Sequence, residues 1–295
     1  MRLALFPLFI ITLFGLTSCD KTIEPIPAYL RIDSFALKAA AAQGNNIHEI
    51  SAVKLYVGND FLGQFEIPCT IPVLQEGNLK VSMIPSVRLN GSRNQYISLN
   101  TLAVFDTVLT FKPGSITSAG TPSFKFKSNA NVIWAEDFEG TNSTLIKFFS
   151  GKTDTTFVSN EPFQLNGRFS SNTRCMKIIM PDADTAKVVD MASFGFFSSI
   201  PTDGSDVILE FDINTTVPVQ MALIRKNSNG RLYLPYVVVF PTDKIWKRFY
   251  INLVYELINQ PANTDIQILL SPQKQAETRG DQTILIDNIR LTHLK

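Results

Sequence analysis

The sequence is short of the side chains that carry out most enzyme chemistry. It has only two histidines and three cysteines in 295 residues. No Cys/His cluster has the spacing of a zinc site, and no glycine-rich loop of the phosphate-cradling kind occurs. A Ser-His-Asp site would need His48 or His293, and neither stands near a nucleophile motif. His293, two residues from the C-terminus, reads as an exposed residue on a fraying end. Charge is scarce as well, at 18% of residues against about 25% in ordinary globular proteins. Lys and Arg number 27 against 26 Asp and Glu. With no basic run, the chain lacks the electrostatic footprint of a nucleic-acid binder. Helix-forming composition is confined to the Ala-rich stretch Leu37 to Gln43, which Gly44-Asn45-Asn46 stops.

What the chain does have begins at its N-terminus. Arg2 precedes an apolar run from Leu3 to Leu16, broken only by Pro7, Thr12 and Gly15. That is the length of a signal-peptide core, short of the ~20 residues of a spanning helix. The sequence that follows, Leu16-Thr17-Ser18-Cys19, resembles the bacterial lipobox. The resemblance implies cleavage after Ser18 and acylation of Cys19 with palmitate-type chains. Each buried acyl methylene contributes about 0.8 kcal/mol, and more than one chain gives stable anchoring. The expected partner of this end is therefore a membrane, and the expected place is the cell envelope. An outer-membrane lipoprotein facing the periplasm or the cell surface fits both. Residues 1–18 are then leader, and residues 19–27, with Pro25 and Pro27, form a short stiff lipidated tether.

The rest is long enough for about two domains of ~100 to 150 residues, and nearly every ordered stretch reads as a strand. Tyr29 to Phe35 alternates with a period near two. Val53 to Val57, Gly58-Asn59-Asp60 and Phe61 to Ile67 read as a hairpin. Leu79 to Ile84, Leu102 to Phe111 and Phe124 to Lys127 continue the pattern. A stretch rich in Ser, Thr, Gly, Pro and Asn runs from Lys112 to Asn131. The chain thus divides into a first β-sandwich over 28–127, a linker over 128–133 and a second sandwich over 134–295. Cys69 and Cys175 fall in different halves, each within an apolar strand, and read as two buried thiols. The fold class is all-β, two β-sandwiches in tandem.

Val53 to Val81 resembles a PEGA domain, a small Ig-like sandwich of bacterial envelope proteins. The shared features are Tyr56-Val57, a turn, Leu62-Gly63, Pro68, Pro72, Glu76-Gly77 and Leu79-Lys80-Val81. The resemblance implies an adhesive or spacer module without catalytic residues. The second half is similar to the jelly roll of carbohydrate-binding modules and galactose-binding-like domains. Four segments carry that likeness: Glu136 to Gly140, Leu209 to Ile213, Trp246 to Leu253 and Leu285 to Leu291. Three triplets, at Asp106-Thr107-Val108, Asp154-Thr155-Thr156 and Asp184-Thr185-Ala186, resemble the O-glycosylation sequon of the Bacteroidota.

Paired carboxylates are the one catalytic option left. Glu210 and Asp212 lie two apart on a strand and share a face. This resembles the Glu-x-Asp-x-x-Glu strand of laminarinase-type glycosidases, but Thr215 stands where the third acid is needed. A retaining glycosidase needs both a nucleophile and an acid, so the pair is read instead as a solvated strand face and the protein as no enzyme. The jelly-roll resemblance implies a structural calcium held by Glu139 and Asp287, with carbonyls and water completing six to eight oxygens. Arg231, Tyr233, Tyr236 and Trp246 are the candidate glycan-binding residues. The expected function is non-catalytic binding of a glycan or a surface protein by an anchored envelope lipoprotein. The alternative is an accessory subunit of an outer-membrane secretion, motility or uptake assembly.

Overall fold

Alternating apolar and polar residues form strands throughout the computed structural model, which describes residues 25–149, 155–183, 188–275 and 277–295. The leader, Cys19, most of the tether, Asp154 and the Asp184-Thr185-Ala186 triplet lie outside these residues. The N-terminal half contains β1 (Ala28–Ile32), β2 (Ala36–Lys38), β3 (Ala52–Val57), β4 (Asp60–Glu66), β5 (Cys69–Val73), β6 (Gly77–Arg88), β7 (Tyr96–Ser98), β8 (Phe105–Phe111), β9 (Ile116–Ser118) and β10 (Ser123–Lys125). The C-terminal half contains β11 (Ala130–Glu136), β12 (Leu145–Phe149), β13 (Thr155–Leu165), β14 (Phe169–Met180), β15 (Asp190–Ser193), β16 (Val207–Thr215), β17 (Val219–Asn227), β18 (Gly230–Val239), β19 (Lys247–Asn252), β20 (Asp265–Pro272) and β21 (Gln282–Leu294). The Ala-rich stretch forms only a 3-10 turn at Ala41–Gln43, because no apolar face there is offered to the core.

In the N-terminal half the sheets β5-β1-β9 and β4-β3-β6-β7, with β8 beside β6, enclose Leu30, Ile32, Leu55, Val57, Val81 and Met83. The β3–β4 hairpin turns at Gly58, whose φ of +60° glycine adopts without strain. In the C-terminal half two antiparallel sheets face each other. One runs β13-β14-β21-β16-β19 with β11 also beside β21, and the other runs β12-β15-β20-β17-β18. Between them lie Leu209, Phe211, Ile213, Met221, Leu223, Ile268, Leu270, Ile284 and Ile286. Strands alternate inward and outward, as in sandwich packing.

Several expectations are corrected by this arrangement. Residues 130–133 are not linker: Ala130, Asn131 and Val132 are paired with Leu294, His293 and Thr292. His293 is therefore buried in a closing strand, with its Nε2 3.2 Å from the Asn131 amide. Cys175 is buried but Cys69 is only half-buried, and both are free thiols. The two halves also share a core, since Ile208 and Tyr250 of the C-terminal half pack among the N-terminal apolar residues. The left-handed pair Asn90 and Gly91 makes this junction. The Asn90 amide donates to the Tyr250 carbonyl at 2.9 Å. A Cβ on Gly91 would stand 2.5 Å from the Phe249 ring, so only glycine fits this approach.

Candidate functional site

The sheet containing β16, β19 and β21 turns its outer face toward the N-terminal half. Residues 44–50, the turn at 89–91 and Phe126 cover it. Glu210 and Asp212 sit on this face, and both are buried rather than solvated. Arg248 reaches Asp212 at 2.9 Å and Glu210 at 3.0 Å through its two terminal nitrogens. Arg290 reaches the other Glu210 oxygen at 2.9 Å and also donates to the Asn45 carbonyl at 2.7 Å. The Asn288 amide donates to Asp212 at 2.8 Å, and Asn45 donates in turn to Asn288. The Glu49 amide donates to the Tyr250 hydroxyl at 2.9 Å.

Electrostatics follow from this enclosure. Burial alone would raise the Glu210 carboxyl, but the Arg290 and Arg248 guanidiniums hold it below its ordinary value. Asp212 has only one guanidinium, so burial prevails and pushes it up to about 6. His48, also buried here, is pushed down to about 4 by burial first and by Arg248 and Arg168 next. Two carboxylates sealed between two guanidiniums have no room for a substrate, and the cluster works as a joint between the halves. The acid pair was visible in the sequence, but its cover was not, because Asn45 and Asn288 are 243 positions apart.

The expected cation site brings Glu139 and Asp287 together. Thr173 bridges them, with its hydroxyl 2.8 Å from Asp287 and 3.5 Å from Glu139. Burial pushes Asp287 up to about 8, and the neutral Thr173 hydroxyl and Asn288 backbone amide donate to it. Among the described residues Asp287 has no ion-pair partner, and a hard ion such as calcium would favour its charged form. Arg174, however, holds the carbonyls of Glu139 and Gly140 at 3.0 Å each. Among the described residues no three acidic, histidine or cysteine side chains converge. The protein oxygens here are thus two carboxylates and one hydroxyl.

The four candidate glycan residues separate into two pairs. Trp246 is 4% exposed, packs on Phe163 at 5.1 Å and donates its indole N–H to the Pro162 carbonyl at 2.9 Å. Tyr236 is the extra residue where the β17–β18 register shifts; it packs on the core and its hydroxyl donates to the Asn252 carbonyl at 2.7 Å. Both are packing residues, not a platform. Tyr233 and Arg231, in contrast, lie two apart on β18, opposite Ile224 and Lys226 of β17. Tyr233 is 50% exposed. Arg231 and Lys226 both lie against the Phe196 ring, at 5.2 and 5.4 Å.

Strand registers show what surrounds Tyr233. Met221, Leu223, Ile268 and Leu270 point into the core, so their neighbours Ala222, Ile224, Gln267 and Leu269 point the other way. Ala192, Ala222 and Leu269 form a small apolar floor on this outer face, with Ile224 beside them. Gln220, Gln267, Asp190 and Ser271 share the face by the same alternation. This floor has no local signature, because Ala192, Ala222 and Leu269 come from three separate strands.

No protein-family model matches the chain, and no curated protein matches it. Solved structures do. One is of carbohydrate-binding modules from the β-sandwich superfamily, 16% identical, covering 90% of this chain and 96% of that one with a TM-score of 0.37. Another is the family 11 carbohydrate-binding module of the cellulosomal cellulase Lic26A-Cel5E of Clostridium thermocellum, 16% identical, covering 55% and 93% with a TM-score of 0.34. An exo-β-agarase is 17% identical, covering 53% and 24% with a TM-score of 0.36. Scores and identities this low carry nothing across to this chain.

Proposed function

We propose that this protein is a membrane-anchored, non-catalytic glycan-binding module of the cell envelope, held by the acylated Cys19. The observation that supports it is the solvent-exposed β18 edge of the β15-β20-β17-β18 sheet, beside residues of that sheet that are themselves buried. There a half-exposed aromatic ring, Tyr233, stands beside Arg231 at the edge of an apolar floor. An aromatic face offers the C–H face of a pyranose an apolar surface. Amides and a guanidinium around it offer donors and acceptors to the hydroxyls. Few polar groups placed around an apolar surface is the general pattern of small-ligand sites. Glu139, Asp287 and Thr173 would hold a calcium ion that braces the sandwich without touching the sugar. The N-terminal half, seated on the opposite sheet, holds the binding face away from the membrane.

The test is a glycan-array screen of the full-length chain beside its Tyr233→Ala variant. Binding to a defined glycan class that falls at least tenfold with the substitution is the expected result. Binding that ignores Tyr233, or no binding to any glycan, would overturn this reading.

A further inference from the structure

The two halves leave a cleft of about 400 Å³ where they meet. Strands β18 and β19 are the last strands of their sheets and lie on the same side of the sandwich. The connection between them, residues 240–246, forms one wall of the cleft, and the turn at 89–93 forms another. The volume falls within the ~300 to 1,000 Å³ usual for small-ligand sites.

The chemistry of its wall is one-sided. Arg88, Arg93, Lys247 and Arg248 line it against a single acid, Glu49. Arg248 is neutralised from behind by Glu210 and Asp212, and Arg88 is paired with Glu66 at 3.3 Å. Arg93 and Lys247 have no ion-pair partner among the described residues. Phe240 stands at the mouth, 73% exposed, with Asn166 of the β13–β14 turn also on the rim. Two wall residues keep a buried polar atom without a hydrogen-bond partner: Nε of Arg248 and Oδ1 of Asn90. Both atoms are shut off from solvent, so what the cleft can hold is set by its accessible groups, Arg93, Lys247 and Phe240.

We infer that this cleft binds a sugar residue bearing an oxyanion, a uronate or a sulfate ester. The anionic group sits between Arg93 and Lys247, and the ring lies against Phe240. A guanidinium and an ammonium together hold an oxyanion by charge-assisted hydrogen bonds, while the exposed ring gives a pyranose its apolar face. Asn90 and Asn166 supply both donors and acceptors, which suits hydroxyls better than an acidic peptide. The inference shares its ligand class with the reading built on Tyr233 and Arg231 but none of its residues, so the two stand or fall separately.

The experiment is titration calorimetry of the full-length protein with oligogalacturonate, in parallel with the neutral galactose oligomer, inorganic sulfate and a poly-glutamate peptide. The expected result is at least tenfold tighter binding of the uronate oligomer than of the other three. Affinity should fall at least tenfold from 50 to 500 mM salt, and at least tenfold in an R93E/K247E variant whose melting temperature is unchanged. Phe240→Ala should weaken the uronate severalfold and leave inorganic sulfate as before. Equal binding of the charged and neutral oligomers would overturn the inference, as would equal binding of sulfate or of the peptide. Loss with Tyr233→Ala and not with charge reversal would assign the acidic sugar to the exposed β18 edge and also overturn it.

Discussion

The C-terminal sandwich has two outer faces, one charged and one apolar, and residue type foretells the burial of only the apolar one. The face of β16, β19 and β21 carries Glu210, Asp212, Arg248 and Arg290, yet all four are buried under the N-terminal half. The face of β15, β17 and β20 carries Ala192, Ala222 and Leu269, which are also buried, but with no ion pair among them. Charged residues here mark the sealed interface, because each charge has an opposite partner across the sheet. Small apolar residues on the other face are buried as well, and it is Tyr233 and Arg231 on β18 beside them that reach solvent. Charge on a strand thus says little about exposure until its neighbours are known. Buried pairs of this kind add little net stability over an apolar interface, but removing one partner is costly.

That asymmetry gives the largest expected effect. Glu210→Ala would leave two buried guanidiniums short of a partner and should cost about 3 to 5 kcal/mol in urea unfolding. A loss below about 1 kcal/mol would mean that the sealed face is hydrated, and the comparison would fail.

The sealed face should also respond to pH through His48. Its imidazole is held at about 4 against an ordinary 6.5, so the folded protein favours the neutral ring. The contribution is full above pH ~6.5 and is lost as the pH falls toward 4, by up to about 3 kcal/mol. Asp212, raised to about 6, works the other way, taking up its proton more readily when folded and adding stability as the pH falls below 6. The His48 part is therefore read as the stability of wild type minus that of His48→Gln, which should drop between pH 7.5 and pH 4. A flat difference would show that the ring is not enclosed.

Calcium would sharpen the comparison at the edge of the sealed sheet. If the ion binds at Glu139 and Asp287, calcium at a hundred times its Kd should add about 2.7 kcal/mol of stability. EDTA should remove that gain, and Asp287→Asn should abolish the response. No shift in melting temperature on chelation would end the calcium reading.

The exposed β18 edge beside the apolar face should give the smallest effect on folding. Tyr233→Ala should change stability by no more than about 0.5 kcal/mol, measured in the same urea titrations, while glycan binding is lost. A large destabilisation would show that Tyr233 is a packing residue like Tyr236, and the contrast between the faces would disappear.

Much of the fold was legible in local pattern. The β3–β4 hairpin and the strands around Leu79, Leu209, Trp246 and Leu285 follow from alternation and from glycine at turns. Single residues were harder to read. Trp246 and Tyr236 resemble Tyr233 in sequence, since all three are aromatics in or beside strands. What separates them is whether a carbonyl, of Pro162 or Asn252, waits in the core to receive their polar group. His293 shows the same limit: closeness to the C-terminus suggested fraying, but pairing with Asn131 buries it. The buried apolar floor and the cleft at β18 and β19 left no local mark, since each is assembled from distant strands.

By itself the sequence determined the all-β class, the absence of zinc and phosphate-loop motifs, and the broken carboxylate pattern. These depend on residue type and on spacing within a few positions, which the chain states directly. Only the tertiary structure decided which face of the second sandwich is sealed, which aromatics reach solvent and where unpaired cations gather. Those outcomes depend on contacts between residues up to 245 positions apart, such as Arg290 with Asn45. Burial is set by what the rest of the chain places on a strand, and a strand's own alternation cannot record it.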